Sequence, residues 1–153
     1  MKVTDFLDSE GVHYETSRHR PAFTAQQMAS EEHVPGMEVA KPVVVRAGQR
    51  YYLCVLPACC KINLDALKRY LEADDVALAD EEEMARLFDN CQLGAEPPFG
   101  HLYNLQTVLD KTLADEPKLV FQAGSHEQAI RMDTQDFVRL EKPRVTGFSY
   151  HMQ

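Results

Sequence analysis

Three stretches of the chain combine residue types able to do chemistry. Lys41 stands at the mouth of the apolar run "PVVV", residues 42 to 45, where its cation either faces a pocket or snorkels from a strand end. Residues 93 to 102 read "LGAEPPFGHL". Proline fixes φ and lacks a donor, while glycine permits backbone conformations that other residues avoid, so this segment is neither a regular helix nor a central strand. It is a shaped loop, which either turns a corner or holds its backbone against something. The third stretch is "AGSH", residues 123 to 126, where a strand ends in glycine next to polar donors. A loop between two strands accounts for Gly124 without any function, and His126 by itself fits a surface position.

Several familiar chemistries are excluded. The chain holds no G-x-S-x-G, no phosphate-binding P-loop, no G-x-G-x-x-G and no H-E-x-x-H. His13, His19, His33, His101, His126 and His151 lie far apart and show no paired-ligand spacing with Cys54, Cys59, Cys60 or Cys91. No metal and no cofactor are therefore expected. Ser125 beside His126 is not a nucleophile with its base, because adjacent residues point in different directions and no third group orients the pair.

The elements that must position these stretches are partly legible. Val3, Phe6 and Leu7 have helical spacing, with Gly11 to end the helix, and residues 12 to 17 form a plausible strand. Thr24 and Gln27 make a capping-box pattern for a second helix that "VPG", residues 34 to 36, stops. "PVVVR" and "YYLCVL", separated by "AGQR", predict a hairpin of two well-buried strands, the first opening just after Lys41. Leu64, Leu67 and Leu71 define a helical face capped by Asn63, and Asp80 with Glu83 opens a helix carrying Met84, Leu87 and Phe88. After the proline loop, residues 118 to 124 and 129 to 132 read as strands, and Thr134 is expected to cap a last helix through Phe137 and Leu140. Helices and strands alternate without the rhythm of a doubly wound sheet, so the expectation is α+β with a mixed or barrel-like sheet.

At 153 residues the chain fits one domain, 1 to 153, with a core that needs no disulfide staples. Its 44% hydrophobic and 26% charged content are those of a soluble globular protein, and no window is apolar for long enough to span a bilayer. The acidic start "MKVTDFLDSEG" is unlike a signal peptide, and the four cysteines read as reduced thiols, so a cytoplasmic location is expected. A formal charge of −8 repels nucleic acid on average. No DNA or membrane partner is expected, and any RNA must meet a local basic patch. Arg18, His19, Arg20, Lys41, Arg46, Lys142 and Arg144 are its candidates, against the plainer reading of scattered solvated charge.

The order and spacing of "AKPVVV" (40 to 45), "GAEPPFG" (94 to 100), the aspartate of "VLDKTL" (108 to 113) and "VFQAGSHEQAIRM" (120 to 132) resemble the YbaK-like family of aminoacyl-tRNA deacylases. That family includes the YbaK and ProX-type editing proteins and the editing domain of bacterial prolyl-tRNA synthetases. The resemblance covers about Phe6 to Leu140. It implies a YbaK-like, barrel-like sheet surrounded by helices and a pocket for the 3′ end of aminoacyl-tRNA. It further implies a free-standing enzyme that removes a small amino acid from mischarged tRNA, with an aminoacyl-tRNA synthetase as a candidate partner. Lys41, Gly94, Gly100 and His126 carry over as catalytic positions, with Lys41 holding the terminal phosphate or ribose, or stabilising charge near the ester. Pro97, Pro98, Phe99, Gly124 and Ser125 carry over as substrate-binding positions.

An aminoacyl ester is already activated, so positioned water and a polarised carbonyl suffice without a covalent nucleophile. Backbone amides of the 94 to 100 loop are expected to face the developing oxyanion, each such donor being worth about 2.7–4 kcal/mol of barrier. In the resemblance, the substrate's own 2′-hydroxyl helps to activate water. Pro42 departs from the polar or small residue that relatives often place after the lysine. The tail, about 143 to 153, has no recognised counterpart and is expected to cover the pocket, mediate association or hang free. Two other readings stay open: a binding module for a nucleotide or aminoacyl-adenosine-like ligand without turnover, and an interaction domain that has lost the site.

Overall fold

The computed structural model describes residues 1–152 of the 153. In chain order the first elements are α1 (Val3–Glu10), β1 (Tyr14–Arg18), α2 (Ala25–Glu32), β2 (Ala40–Ala47), β3 (Arg50–Pro57) and β4 (Cys60–Ile62). Then come α3 (Leu64–Tyr70), β5 (Val76–Leu78), α4 (Glu81–Leu87), β6 (Gln106–Asp110) and α5 (Lys111–Ala114). The chain closes with β7 (Lys118–Gln122), β8 (Gln128–Asp133), α6 (Thr134–Glu141), β9 (Arg144–Thr146) and β10 (Ser149–His151).

Local chemistry sets most helix ends. Gly11, at φ 68, terminates α1 in the left-handed conformation that glycine adopts without a Cβ penalty. Thr24 caps α2 by accepting from the Gln27 amide, Asn63 caps α3 through Ala66, and Asp80 and Glu83 form a reciprocal capping box on α4. The last helix departs from expectation. β8 runs on to Asp133, which becomes the N-cap residue, and Thr134 is buried as the first helical residue instead of capping.

Three sheets result. β2 and β3 form the expected antiparallel hairpin, with Lys41 opposite Leu56, inside a five-stranded sheet of order β5-β2-β3-β6-β9. β6 runs parallel to both β3 and β9. β1, β8 and β7 make an antiparallel three-stranded sheet, and β10 pairs with β4. The fold is thus mixed α+β, but the expected barrel is not formed. The edges of the large sheet are the three-residue strands β5 and β9, too short to be drawn into further ladders, and one isolated bridge, Val39 to Val120, links it to the three-stranded sheet.

Side-chain alternation along the hairpin buries both faces, as a strand covered on both sides requires. Ala40, Val44, Leu53 and Val55 enter the main core with Phe99 and Phe121. Val45, Cys54 and Leu56 enter a second one with Leu67 and Phe148. The end of the chain is woven into that second core: Phe148 is 1% exposed, and its amide donates to Asp110 Oδ1 at 2.9 Å. No helix among the described residues is long and apolar enough to cross a membrane.

Candidate active site

Lys41, the second residue of β2, lies on the same side of the strand as Val43, beside the cluster that contains Cys60. Its Nζ donates to the Cys60 carbonyl at 2.6 Å. Burial disfavours the ammonium and pulls its pKa below the ordinary lysine value. An ammonium has three N–H donors, so this bond fixes the side chain and leaves donors for a ligand.

A cavity of about 230 Å³ lies at the start of β2, and its walls include Lys41, Thr24, Met28, Gly94, Glu96 and Gln122. The structure therefore brings the lysine and the beginning of the proline loop to one space. α2 contributes Thr24 and Met28 because its capped N-terminus abuts the same strand edge.

The proline loop and the 123 to 126 turn are stitched into one unit by main-chain bonds. Gly124 donates to the Ala95 carbonyl and Gln92 to the Gly124 carbonyl, both at 2.9 Å. Gly94 and Gly124 have φ of 89 and 92, a region that L side chains enter only with strain. His126 joins the unit: its amide donates to Gln92 Oε1 at 2.8 Å, and its Nδ1 lies 3.0 Å from the Ala22 carbonyl. A carbonyl only accepts, so Nδ1 carries a proton and Nε2 is the acceptor of the neutral ring. A Cβ built on Gly94 would stand 3.4 Å from His126 Cε1.

Other expected positions lie elsewhere. Pro97, Gly124 and Ser125 line a separate cavity of about 350 Å³ with Cys91 and Tyr103. Pro98, Phe99 and Gly100 are buried, and Phe99 packs on Phe121 and Phe137. The loop amides are also engaged internally: Gly94 donates to Glu96 Oε2 at 2.7 Å, Ala95 to the Gln92 carbonyl at 3.0 Å, and Gly100 to Thr107 Oγ1 at 3.0 Å. Among the candidate basic residues, Arg20 and Arg46 are paired with Glu31 and Glu83.

Two cavity residues escaped sequence reasoning. Glu96 is 3% exposed, and burial pushes its carboxyl above the usual carboxylate range, opposed by the hydrogen bond from Gly94. A carboxylate between Ala95 and two prolines, in a loop already marked as shaped, was the available signal. Gln122 ends an apolar strand, and nothing in its neighbours distinguishes it. Among the described residues no group of three or more His, Cys, Asp or Glu could hold a metal ion.

Residues 19–140 match a family model described as an aminoacyl-tRNA editing domain. No curated protein matches the chain at a significant level. A crystal structure of a hypothetical protein superposes with a TM-score of 0.89 at 21% identity, covering 98% of this chain and 100% of the other. A protein described as a candidate trans-editing enzyme for prolyl tRNA synthetase gives 0.85 at 21% identity, covering 97% and 94%. A candidate signal transduction protein from Marinobacter aquaeolei gives 0.74 at 16% identity, covering 96% of this chain and 30% of its own. At these identities the likeness is one of fold.

Proposed function

The chain belongs to the aminoacyl-tRNA editing domain family, and from that premise we propose that it is an aminoacyl-tRNA deacylase acting in trans on mischarged tRNA that carries a small amino acid. The observation that carries this reading is the shared cavity: Lys41 and Gly94, far apart in sequence, line one space of about 230 Å³. That is below the roughly 300–1,000 Å³ of common ligand pockets, a size suited to an aminoacyl group and its ribose rather than a larger cofactor.

The chemistry asks little of the protein. Lys41, already oriented by Cys60, offers its remaining donors to the terminal phosphate, the ribose or the ester oxygen. The ester is held against the Gly94 turn, beside the His126 ring. Water then attacks the carbonyl carbon, and the acyl C–O bond to the ribose 3′-oxygen breaks. A proton of the water passes by way of the neighbouring 2′-hydroxyl to that oxygen, which leaves the free amino acid and the terminal diol of the tRNA. The Gly94 amide is given to Glu96, so in this reading it stabilises an oxyanion only after Glu96 releases it, and Lys41 is the main electrostatic contributor.

The test is a panel of charged tRNAs incubated with the protein and with Lys41→Ala. Selective deacylation that the substitution lowers by about a hundredfold, the scale of losing one transition-state contact, supports the reading. Hydrolysis at background by both proteins, across the panel, removes it.

A further inference from the structure

Two buried polar residues line the cavity beside Lys41 to which the deacylation chemistry above gives no contact with the substrate. Glu96 is 3% exposed and Gln122 is 5% exposed, and both line it. Glu96 Oε2 accepts from the Gly94 amide, but its carboxylate makes no ion pair among the described residues. Burial of the carboxyl raises its pKa, against the hydrogen bond from Gly94 and a weaker opposing effect of the nearby His126 ring. Glu96 also borders a smaller neighbouring cavity of about 220 Å³, which offers it no basic side chain.

Gln122 is oriented by its other end. Its Nε2 donates to the Ala22 carbonyl at 3.3 Å, and because that carbonyl can only accept, the amide cannot be turned the other way round. Its Oε1 is thereby committed as an acceptor, and it is buried without a hydrogen-bond partner. Buried polar atoms left unpaired are uncommon enough to need a reason. A carboxyl and a carboxamide oxygen on residues that line one small space are both satisfied by a ligand that supplies several N–H donors and a positive charge.

We propose that Glu96 and the Gln122 carboxamide oxygen form a seat for the α-ammonium group of the aminoacyl ester. The proposal rests on the deacylase reading and deepens it by naming how the substrate is recognised. An α-ammonium carries three donors and, at neutral pH, most of a positive charge, since the parent amine titrates near about 7.7–8.0. Lys41 lines the same cavity, with its ammonium held at the Cys60 carbonyl.

The experiment measures binding without turnover. Two non-hydrolysable probes are titrated by calorimetry: adenosine bearing an L-alanyl group through a 3′-amide, and its isostere bearing L-lactyl, in which a hydroxyl replaces the ammonium. The protein should bind the alanyl probe about tenfold or more tightly than the lactyl probe, as a charge-assisted contact implies. Glu96→Gln should bring that ratio close to one. Gln122→Met, which removes Oε1 at similar volume, provides a second variant and should also lower the ratio. Equal binding of the two probes, no binding of either, or a ratio unchanged in both folded variants would overturn the seat. Failure of the deacylase reading looks different: the alanyl preference persists while Lys41-dependent turnover on the tRNA panel is absent.

Discussion

Lys41 Nζ donates to the main-chain carbonyl of Cys60 at 2.6 Å, across the turn that joins β3 to β4. The bond selects one conformation of a side chain that otherwise loses about 2 kcal/mol of rotamer freedom on being ordered. The cation is therefore set in place before any ligand arrives. It also ties the lysine to the part of the fold held by the end of the chain, since β4 pairs with β10.

Burial lowers the pKa of Lys41, so its ammonium loses the proton at a lower pH than an ordinary lysine at about 10.4. Anion binding by this residue should be complete near neutrality and fade on the alkaline side, earlier than a surface lysine would. Titrating an adenosine 5′-phosphate with a 3′-lactylamide, which has no amine of its own, reads this directly. Lys41→Arg should abolish the alkaline fall because guanidinium stays charged. An affinity for the probe that stays level as pH rises would rule out the contact.

Gly100 and Gly94 should respond differently to alanine. At Gly100 a Cβ would stand 2.8 Å from the Leu105 carbonyl and closer still to Thr107 Oγ1, so Gly100→Ala should destabilise the fold by about 1–3 kcal/mol. Turnover per folded molecule should persist. Gly94→Ala meets φ 89 and the His126 ring, with a strain of about 1–2 kcal/mol, and should depress turnover more than its stability loss explains. Urea unfolding paired with tRNA deacylation separates the two; equal loss of turnover in both would place Gly100 in the site after all.

Phe148→Ala should cost about 3–5 kcal/mol, because a fully buried ring is removed from the second core. The same residue's amide and the Ser149 hydroxyl both donate to Asp110, which also caps α5 through the Thr112 amide. Thermal unfolding would show a large drop in midpoint. A tail merely resting on the surface would leave it within a degree or two.

The features legible in the sequence are those set within a few residues. Thr24, Asn63 and Asp80 cap helices because a side-chain oxygen reaches an amide three positions on, and the hairpin at 40 to 57 follows from β-branched runs around a short polar turn. The shaped loop, too, was visible from its glycines and prolines. Short strands such as β4, β5, β9 and β10 were missed because three residues carry no periodicity, and each exists only through its partner in the ladder.

By itself, then, the sequence determined most helix caps, the central hairpin, the α+β class and the loop, lysine and glycine turn on which the resemblance rests. Tertiary structure alone decided which of those residues share a cavity. It sent Phe99 and Gly100 into the core, gave the Gly94 amide to Glu96, and left the sheet open rather than closed into a barrel. The reason is distance along the chain: the bond that commits Gln122 Oε1 as an unpaired acceptor joins residues 100 positions apart, and no local propensity encodes where such a pair will meet.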